Sequence, residues 1–387
     1  MAAGQDNAAM IDLGGRPAGL VESGQAGPLN QGPTTGGTPV RGGLFGENCT
    51  ALAANTLHIS RVYRIRPFRR PSRIAPQRIG PTAGSPQASR YTGAMHPPVR
   101  LVAIDVDGTL LPTFAQTVSP RNAQAIKAAQ EAGIRVAIAT GRRTAYTAPL
   151  LEGLGLRADM PLITSNGAVT RTLGGDPIDR CQLESRVARG LCGLLRPFGS
   201  VVFTFDRPGR GELVVEDLEQ AHGRIALWVE ANRNAIDVVK PLEQALRDGE
   251  DPIQGMVAGN LGKMRKAEAA LKASEWSGSC ECIKTEYPAR DLSILDLLPP
   301  GVSKGWALER LAGRMGVDCK ETMAIGDNWN DVDMLEWAGQ GVIMGNAATE
   351  LRAMAKMRGW KQAPPNDEDG VAVVLEAAVA KVSAAKA

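Results

Sequence analysis

Hydrophobic residues along the chain fall into short runs that are separated by amphipathic stretches. Runs of four to six mostly apolar residues occupy 101–106, 136–139, 161–164, 292–297, 322–325 and 341–344. Such runs are typical of strands buried on both faces. Between them, helix-capping residues precede apolar residues at helical spacing. Ser119 before Pro120 marks the start of one predicted helix, and Ser303 and Gly316 mark the start and the end of another. Strands that alternate with helices predict an α/β fold with a doubly wound parallel sheet.

Residues 173–289 follow a different pattern. Apolar runs at 201–205, 212–215, 236–239, 253–257 and 281–286 predict strands, and helical stretches such as 263–273 lie between them. This pattern predicts a separate α+β unit that is inserted into the parallel sheet domain. The expected division is a core of residues 95–172 plus 290–387 and an inserted unit of residues 173–289, which can move over the edge of the sheet.

Residues 1–94 have a composition that predicts a disordered leader. They contain 15 Gly and 9 Pro without a sustained apolar period, so they cannot bury enough surface to offset chain entropy. They also hold 10 Arg, no Lys and 4 acidic residues, whereas the rest of the chain has 34 basic and 37 acidic residues. We favour an appended leader; an organellar transit peptide and a basic tail for RNA or an anionic surface are the alternatives.

The overall composition argues against several function classes. No run of 18 apolar residues occurs, so no membrane partner is expected. The chain after the leader is slightly acidic and aromatic residues make up 4% of the sequence, which argues against nucleic-acid binding. The six cysteines are sparse, so reduced thiols and a cytoplasmic location are expected, with an organelle as the alternative. The oligomeric state has no signal in the sequence.

Acidic side chains stand at the ends of two predicted strands. Asp105 and Asp107 end the first apolar run, and Asp327 and Asp331 follow the run at 322–325. Because functional groups of open α/β sheets gather at the carboxyl ends of the strands, we expect the four to converge. Two carboxylates about 4 Å apart repel by about 4 kcal/mol at an effective dielectric constant of about 20. Such a cluster needs a cation with oxygen ligands, and we therefore predict Mg²⁺.

Two further motifs favour a phosphate site at the same edge. Thr140 and Gly141 end another predicted strand, where a hydroxyl and free backbone N–H groups can bind phosphate. Lys304 stands in the first turn of the helix after Ser303, where its charge opposes the helix dipole. This placement becomes favourable if a phosphate lies between the start of the helix and the aspartates.

In combination, these motifs resemble the Cof-type phosphatases of the haloacid dehalogenase superfamily. The resemblance covers about residues 99–382 and rests on Asp-Val-Asp-Gly-Thr-Leu at 105–110, Thr-Gly-Arg at 140–142, Thr-Ser-Asn-Gly-Ala at 164–168, Ser-Lys-Gly at 303–305 and Gly-Asp-x-x-Asn-Asp at 326–331. It implies a Rossmann-like core and an inserted α+β cap of the C2 type, which matches the unit at 173–289.

The resemblance also implies roles for individual residues. Asp105 would be the nucleophile and Asp107 the general acid/base. Mg²⁺ would be held by Asp105, by the backbone carbonyl of Asp107 and by Asp327, with Asp331 behind them. The groups implied to contact the substrate phosphate are the N–H of Val106, Thr140, Gly141, Lys304 and Asn330. Asn166 would lie near the junction with the cap.

The implied activity is a Mg²⁺-dependent phosphatase that hydrolyses a small phosphomonoester through an aspartyl-phosphate. A phosphomutase with the same core is the main alternative, and a non-catalytic regulatory protein that works through its basic leader is a third. A transport ATPase is excluded, since those carry Lys-Thr-Gly-Thr after the nucleophile and Asp107 occupies the second position here.

The substrate is left open among sugar phosphates, phosphoglycolate-like acids, and flavin or pyridoxal phosphates. Cap side chains are expected to select it, although no spacing rule identifies them. The candidates are Phe203, Phe205, Arg207, Tyr287 and Arg290.

Overall fold

The computed structural model describes residues 97–113, 115–207, 209–246 and 250–386, so the predicted leader lies outside the described residues. The strands in this part of the chain are β1 Leu101–Ile104, β2 Arg135–Ala139, β3 Pro161–Thr164, β4 Val169–Thr172, β5 Pro177–Arg180, β6 Val202–Thr204, β7 Leu213–Val215, β8 Ile236–Val238, β9 Gln254–Gly259, β10 Glu281–Tyr287, β11 Leu292–Leu298, β12 Thr322–Gly326, β13 Gln340–Ile343 and β14 Lys361–Gln362.

The helices in the same ranges are α1 Pro120–Glu131, α2 Thr144–Leu151, α3 Ser185–Leu195, α4 Leu218–Ala231, α5 Leu261–Ala273, α6 Lys304–Met315, α7 Val332–Trp337, α8 Thr349–Arg358 and α9 Gly370–Lys386. Among these described helices, none combines the length and the apolar character that crossing a membrane requires.

The larger sheet has the strand order β14-β13-β12-β1-β2-β3-β4-β5. The strands from β14 to β3 are parallel, and β4 and β5 add an antiparallel edge. In β1, Leu101 and Ala103 pack in the core with α6, α7 and α8, whereas Val102 and Ile104 pack in the core with α1 and α9. Helices therefore cover both faces of the central strand, which confirms the predicted doubly wound α/β sheet and explains the uninterrupted apolar runs.

The smaller sheet has the strand order β10-β11-β9-β6-β7-β8. Helices α3 and α5 pack on one face, where Phe203 and Leu295 are buried against Leu191 and Met264. Helix α4 packs on the other face and covers only part of it. The uncovered part of that face borders the carboxyl ends of the strands of the larger sheet.

The position of β11 differs from the sequence prediction. We expected the run at 292–297 in the parallel sheet, but Leu292–Leu298 pairs antiparallel with β9 and β10 in the smaller sheet. A strand that is covered on both faces is an apolar run in either sheet. Hydrophobicity alone therefore could not assign residues 292–297 to the larger or the smaller sheet. Conversely, Pro177–Arg180 pairs with β4 of the larger sheet. We therefore propose that the inserted unit begins after β5 and ends after β11, not at residues 173 and 289.

The predicted helix caps position two functional segments and are confirmed. Helix α1 begins at Pro120, and the Ser119 side chain accepts a hydrogen bond from a backbone N–H in the first turn. Helix α6 begins at Lys304 after the N-cap residue Ser303 and ends before Gly316, which is left-handed. Ser303 thereby fixes Lys304 in the first turn of α6, beside the strand ends of the larger sheet.

Candidate active site

The predicted site residues gather at the carboxyl ends of neighbouring strands. Asp105 follows β1, Thr140 follows β2 and Asp327 follows β12, and these three strands are adjacent in the sheet. The backbone N–H of Asp105 donates to the carbonyl of Ile325 in β12 at 3.0 Å. The first aspartate is therefore fixed directly beside the loop that carries Asp327.

Lys304 connects the two predicted aspartate pairs. Its Nζ donates to Oδ1 of Asp105 at 2.6 Å and to Oδ1 of Asp331 at 2.7 Å, and the residue is only 1% exposed. Burial by itself lowers the pKa of Lys304, but the two carboxylates outweigh it and raise the pKa above the ordinary value of a lysine. The ammonium is therefore charged at any physiological pH.

Asp331 orders the loop after β12. Its Oδ2 accepts hydrogen bonds from the backbone N–H groups of Asp327 and Asn328, both at 3.0 Å. Oδ1 of Asp327 accepts a hydrogen bond from the Thr109 hydroxyl at 3.0 Å, which connects this loop to the turn after β1. Both loops are thus held in place by hydrogen bonds to carboxylates.

The carboxylates of Asp105, Asp327 and Asp331 form a compact group, with one oxygen from each within 4.8 Å of the others. Burial, and next the Asp331 carboxylate, raise the pKa of Asp105 to about 7. Loss of solvent, and next Asp105, raise the pKa of Asp327 well above its usual range. Three carboxylates beside a single ammonium repel one another, and an all-oxygen donor set of this kind fits a hard divalent cation.

Gly108 allows the turn after β1 to approach Asp327. Its φ is +80°, and a Cβ at this position would collide with the Asp327 carboxylate. Any other residue would therefore be strained in the backbone and would displace a predicted metal ligand.

Asp107 pairs with Arg142. Nε of Arg142 donates to Oδ2 of Asp107 at 2.7 Å, and Nη2 donates to Oδ1. The guanidinium groups of Arg142 and of the next residue, Arg143, lie 5.7 and 5.6 Å from the centre of the Tyr146 ring. The predicted acid/base is thus oriented by Arg142, which belongs to the Thr-Gly-Arg motif although the sequence indicates no role for it.

The predicted phosphate-binding segments surround these aspartates. Val106 is buried, and its carbonyl accepts the backbone N–H of Leu110 at 3.0 Å in the tight turn after β1. The Thr140 hydroxyl accepts the backbone N–H of Arg142 at 3.1 Å. Gly141 lines the cavity that contains Asp105 and Asp107. The structure therefore brings these segments to one place, as the motif order predicts.

Asn166 joins four segments of the chain. Its backbone is left-handed, with a φ of 51°, and its N–H donates to the Thr140 carbonyl at 3.0 Å. The side-chain Oδ1 accepts from Nδ2 of Asn330 at 3.1 Å, and Nδ2 donates to Oδ2 of Asp296 at 2.8 Å. Asp296 belongs to β11 of the smaller sheet, so Asn166 connects the catalytic loops to the inserted unit.

Two more contacts connect the inserted unit to the catalytic loops. Arg143 forms an ion pair with Glu212, and its Nε and Nη2 donate to Oδ1 of Asn232 at 3.1 and 2.7 Å. Both partners are buried. Asn328 exchanges two hydrogen bonds with the backbone of Glu286, at 3.4 and 3.3 Å. No spacing rule in the sequence could have found these contacts, because the partners are far apart along the chain.

A cavity of about 150 Å³ lies between the catalytic loops and the smaller sheet. Tyr287 and Arg290 line it, as expected for residues that select the substrate. Phe203 and Phe205 do not, because they point to the opposite face of the sheet and pack with α3 and α5. Arg207 forms an ion pair with Glu250 instead. The cavity is also lined by Ser165 of the motif at 164–168, for which the sequence indicates no role, and by three residues outside the motifs, namely Trp228, Gln254 and Asp296.

Comparisons with known proteins agree with this geometry. Residues 102–375 match the family of haloacid dehalogenase-like hydrolases. The chain is 29% identical to the 5-amino-6-(5-phospho-D-ribitylamino)uracil phosphatase YwtE of Bacillus subtilis, over 72% of this chain and 97% of the relative. It is 30% identical to an HMP-PP phosphatase of Cronobacter sakazakii, over 66% of this chain and 87% of the relative.

A solved structure gives the same result for the fold. A haloacid dehalogenase-like hydrolase from B. subtilis superimposes with a TM-score of 0.60 at 26% identity, over 72% of this chain and 99% of that protein. The predicted family is confirmed: the chain belongs to the haloacid dehalogenase-like hydrolases and is a phosphoric monoester hydrolase of the Cof type.

Proposed function

We propose that this protein is a Mg²⁺-dependent phosphatase that hydrolyses a small phosphomonoester through an aspartyl-phosphate on Asp105. The observation that carries the proposal is the 2.6 Å contact between the buried Lys304 ammonium and Asp105, beside the group that Asp105 forms with Asp327 and Asp331. Phosphoryl transfer depends on positioning and on charge neutralisation. An ammonium beside the nucleophile supplies part of that neutralisation.

In the proposed reaction, Asp105 and Asp107 act in two steps. A carboxylate oxygen of Asp105 forms a bond to phosphorus, and the bond from phosphorus to the leaving oxygen breaks. Asp107 gives a proton to the leaving alkoxide. Asp107 then takes a proton from a water molecule that attacks the same phosphorus, which releases inorganic phosphate and restores Asp105. The bidentate pair with Arg142 orients the Asp107 carboxylate for taking the proton from water. When Asp107 carries the proton for the leaving alkoxide, one of these two contacts has to open.

The donor set supports Mg²⁺ at this site. Asp105 and Asp327 would hold the ion together with the backbone carbonyl of Asp107. When bound, Mg²⁺ supplies positive charge against the phosphoryl oxygens. Both oxygens of Asp331 already accept hydrogen bonds, from Lys304 and from backbone N–H groups. We therefore assign Asp331 chiefly to holding Lys304 and the loop after β12.

The test is phosphate release from p-nitrophenyl phosphate with Mg²⁺. Asp105→Asn should reduce the rate by about three orders of magnitude or more, because the nucleophile is lost. Asp159→Asn is the matched control, since Asp159 is exposed and pairs with Arg157 at the surface. The control variant should keep the native rate, and retained turnover in Asp105→Asn would contradict the proposed nucleophile.

A second measurement addresses the intermediate and the alternative. The proposal expects a phosphoryl group on the peptide that carries Asp105 when the Asp107→Asn variant is quenched during turnover, because removal of the general base slows hydrolysis of the aspartyl-phosphate. Formation of an isomeric sugar phosphate without free phosphate, from a hexose 1-phosphate and its bisphosphate, would favour a phosphomutase instead.

A further inference from the structure

The cavity between the catalytic loops and the smaller sheet has two chemically different walls. One wall is apolar and is formed by residues of β7, α4 and β11, namely Leu213, Ile225, Trp228, Leu292 and Ile294. The other wall, which we call the polar patch, consists of Ser165, Gln254 and Asp296. Neither wall takes part in the proposed chemistry at phosphorus.

Strand β11 contributes residues to both walls of the cavity. Leu292, Ile294 and Asp296 alternate along the strand, so their side chains lie on the same face of the sheet. All three line the cavity. A leaving group that extends from Asp105 into this space therefore meets an apolar surface and a carboxyl group on the same strand.

Asp296 is fixed by two amide donors. Nε2 of Gln254 donates to its Oδ1 at 2.5 Å, and Nδ2 of Asn166 donates to its Oδ2 at 2.8 Å. The residue is only 6% exposed. A buried carboxyl that is held in this way can accept a further hydrogen bond from a ligand. Burial raises the pKa of Asp296 to about 7, so at pH 8, where the carboxyl is ionised, a second anion beside it would be repelled.

Ser165 supplies an independent sign of a ligand. It is 1% exposed, and its hydroxyl has no hydrogen-bond partner among the described residues. Its φ of 48° is left-handed, as is that of the next residue, Asn166. Buried polar groups in proteins are normally paired, and backbone strain of this kind concentrates at ligand sites. A substrate group in the cavity could pair with this hydroxyl.

Resting on the proposed phosphatase function, we propose that the polar patch binds a hydroxyl or N–H group of the leaving alcohol. The substrate class is then a phosphomonoester of a compact, ring-sized alcohol that carries no negative charge apart from its phosphate. A cavity of about 150 Å³ holds one ring of about the size of benzene. Phosphoglycolate-like acids are disfavoured, because they would place a carboxylate against Asp296.

Three benzyl phosphates of similar size test this inference at pH 8, with a 3-hydroxyl, a 3-methyl or a 3-carboxylate substituent on the ring. The native enzyme should prefer the hydroxyl compound to the methyl compound by about tenfold or more in kcat/KM. The carboxylate compound should be the poorest of the three. Ratios between substrates are informative here because a general loss of folded enzyme lowers all three rates equally.

Variants identify the residues responsible. Asp296→Asn keeps the shape of the side chain and removes its charge, so it should raise kcat/KM for the carboxylate compound relative to the methyl compound by about tenfold. Ser165→Ala should reduce the preference for the hydroxyl compound. Ser293→Ala is the matched control. Ser293 is equally buried on β11, and its hydroxyl has no hydrogen-bond partner in the part of the chain that the structure describes, but it is not among the residues that line the cavity.

The outcomes separate this inference from the phosphatase proposal. Hydrolysis of p-nitrophenyl phosphate that depends on Asp105 establishes the phosphatase whatever the ratios are. Equal kcat/KM values for the three benzyl phosphates would overturn the inference, as would substrate ratios that Asp296→Asn leaves unchanged. Failure to hydrolyse any of the three, with p-nitrophenyl phosphate still hydrolysed, would also overturn it.

Discussion

The Nζ of Lys304 lies 2.6 Å from Oδ1 of Asp105, although 199 residues separate them in the sequence. Asp105 follows the central strand of the larger sheet, and Lys304 begins α6 after the inserted unit. A lysine in the first turn of a helix opposes the helix dipole. Here the carboxylates of Asp105 and Asp331 compensate for that position and for the loss of water around the ammonium.

Replacement of Lys304 by Met tests this relationship. The substitution leaves Asp105 and Asp331 buried without their cation, so we expect a loss of about 3 kcal/mol in the free energy of unfolding without Mg²⁺. The kcat for p-nitrophenyl phosphate should fall by about two orders of magnitude or more. Urea denaturation and initial rates measure the two effects. Lys320→Met, at an exposed lysine, should change neither, and a Lys304→Met enzyme with native kcat would refute the role.

Mg²⁺ should stabilise the folded protein. The three-carboxylate group exists only in the folded state, so a ligand at 100 times its Kd adds about 2.7 kcal/mol to the free energy of unfolding. We expect the Tm of the native protein to rise with Mg²⁺ concentration and to fall again with a chelator. Asp327→Asn should remove most of this dependence, whereas the exposed Asp159→Asn should retain it. An identical Mg²⁺ response in both variants would argue against a site at Asp327.

Sequence motifs predicted which loops of the larger sheet come together. The motifs that carry Asp105, Thr140 and Asp327 each follow a parallel strand, and parallel strands place their carboxyl ends at one edge, so the order of these motifs was enough to bring the three residues together. Ser303 and Gly316 likewise mark the two ends of α6 by residue type alone. Such signals are local, because a strand end, a cap or a turn depends on a few consecutive residues.

The side of the site formed by the inserted unit could not be predicted in the same way. Arg143 and Glu212 meet only because the smaller sheet lies over the catalytic loops, and neither residue belongs to a motif. Phe203 is a predicted substrate-selecting residue, but alternation along β6 points it away from the cavity. Asp296 stands in an apolar strand, where a single acid gives no indication of its two amide partners.

The pair of Arg143 and Glu212 should contribute to docking of the inserted unit. Removal of one partner leaves the other charge buried, so Arg143→Ala and Glu212→Gln should each destabilise the protein by about 3 kcal/mol. The double variant should lose less than the sum, with a coupling energy of about 1 kcal/mol or more. The KM should also rise in the single variants, because the cavity borders this contact.

A pair within the inserted unit provides the comparison for this cycle. Arg210 and Asp237 also form an ion pair, but the arginine side chain is 83% exposed. Exposed pairs of this kind contribute little, so the same cycle there should give less than about 0.5 kcal/mol. Equal coupling energies from urea denaturation in the two cycles would contradict a special role for Arg143.

Asp296 should make the stability depend on pH in a defined direction. Burial raises its pKa from 3.8 to about 7, so the folded state binds a proton that the unfolded state has released between these values. The free energy of unfolding should therefore fall as the pH rises from about 4 to 7. Between pH 5 and pH 8, native protein should lose about 2 kcal/mol more than Asp296→Asn. Urea denaturation at both pH values measures the difference. Equal losses of unfolding free energy in the native protein and in Asp296→Asn would show that this carboxyl does not titrate near pH 7.

Gly108→Ala should separate backbone strain from damage to the metal site. Gly108 and Gly133 both have positive φ values, +80° and +89°. A Cβ at Gly133 has no atom of the described residues within 4 Å, whereas one at Gly108 would strike the Asp327 carboxylate. Both alanine variants should lose about 1 kcal/mol of stability from the left-handed backbone. Only Gly108→Ala should raise the Mg²⁺ concentration needed for half-maximal activity, by about tenfold or more, because it displaces a ligand. If both variants need the native Mg²⁺ concentration, then Asp327 is not held against Gly108 in the working enzyme.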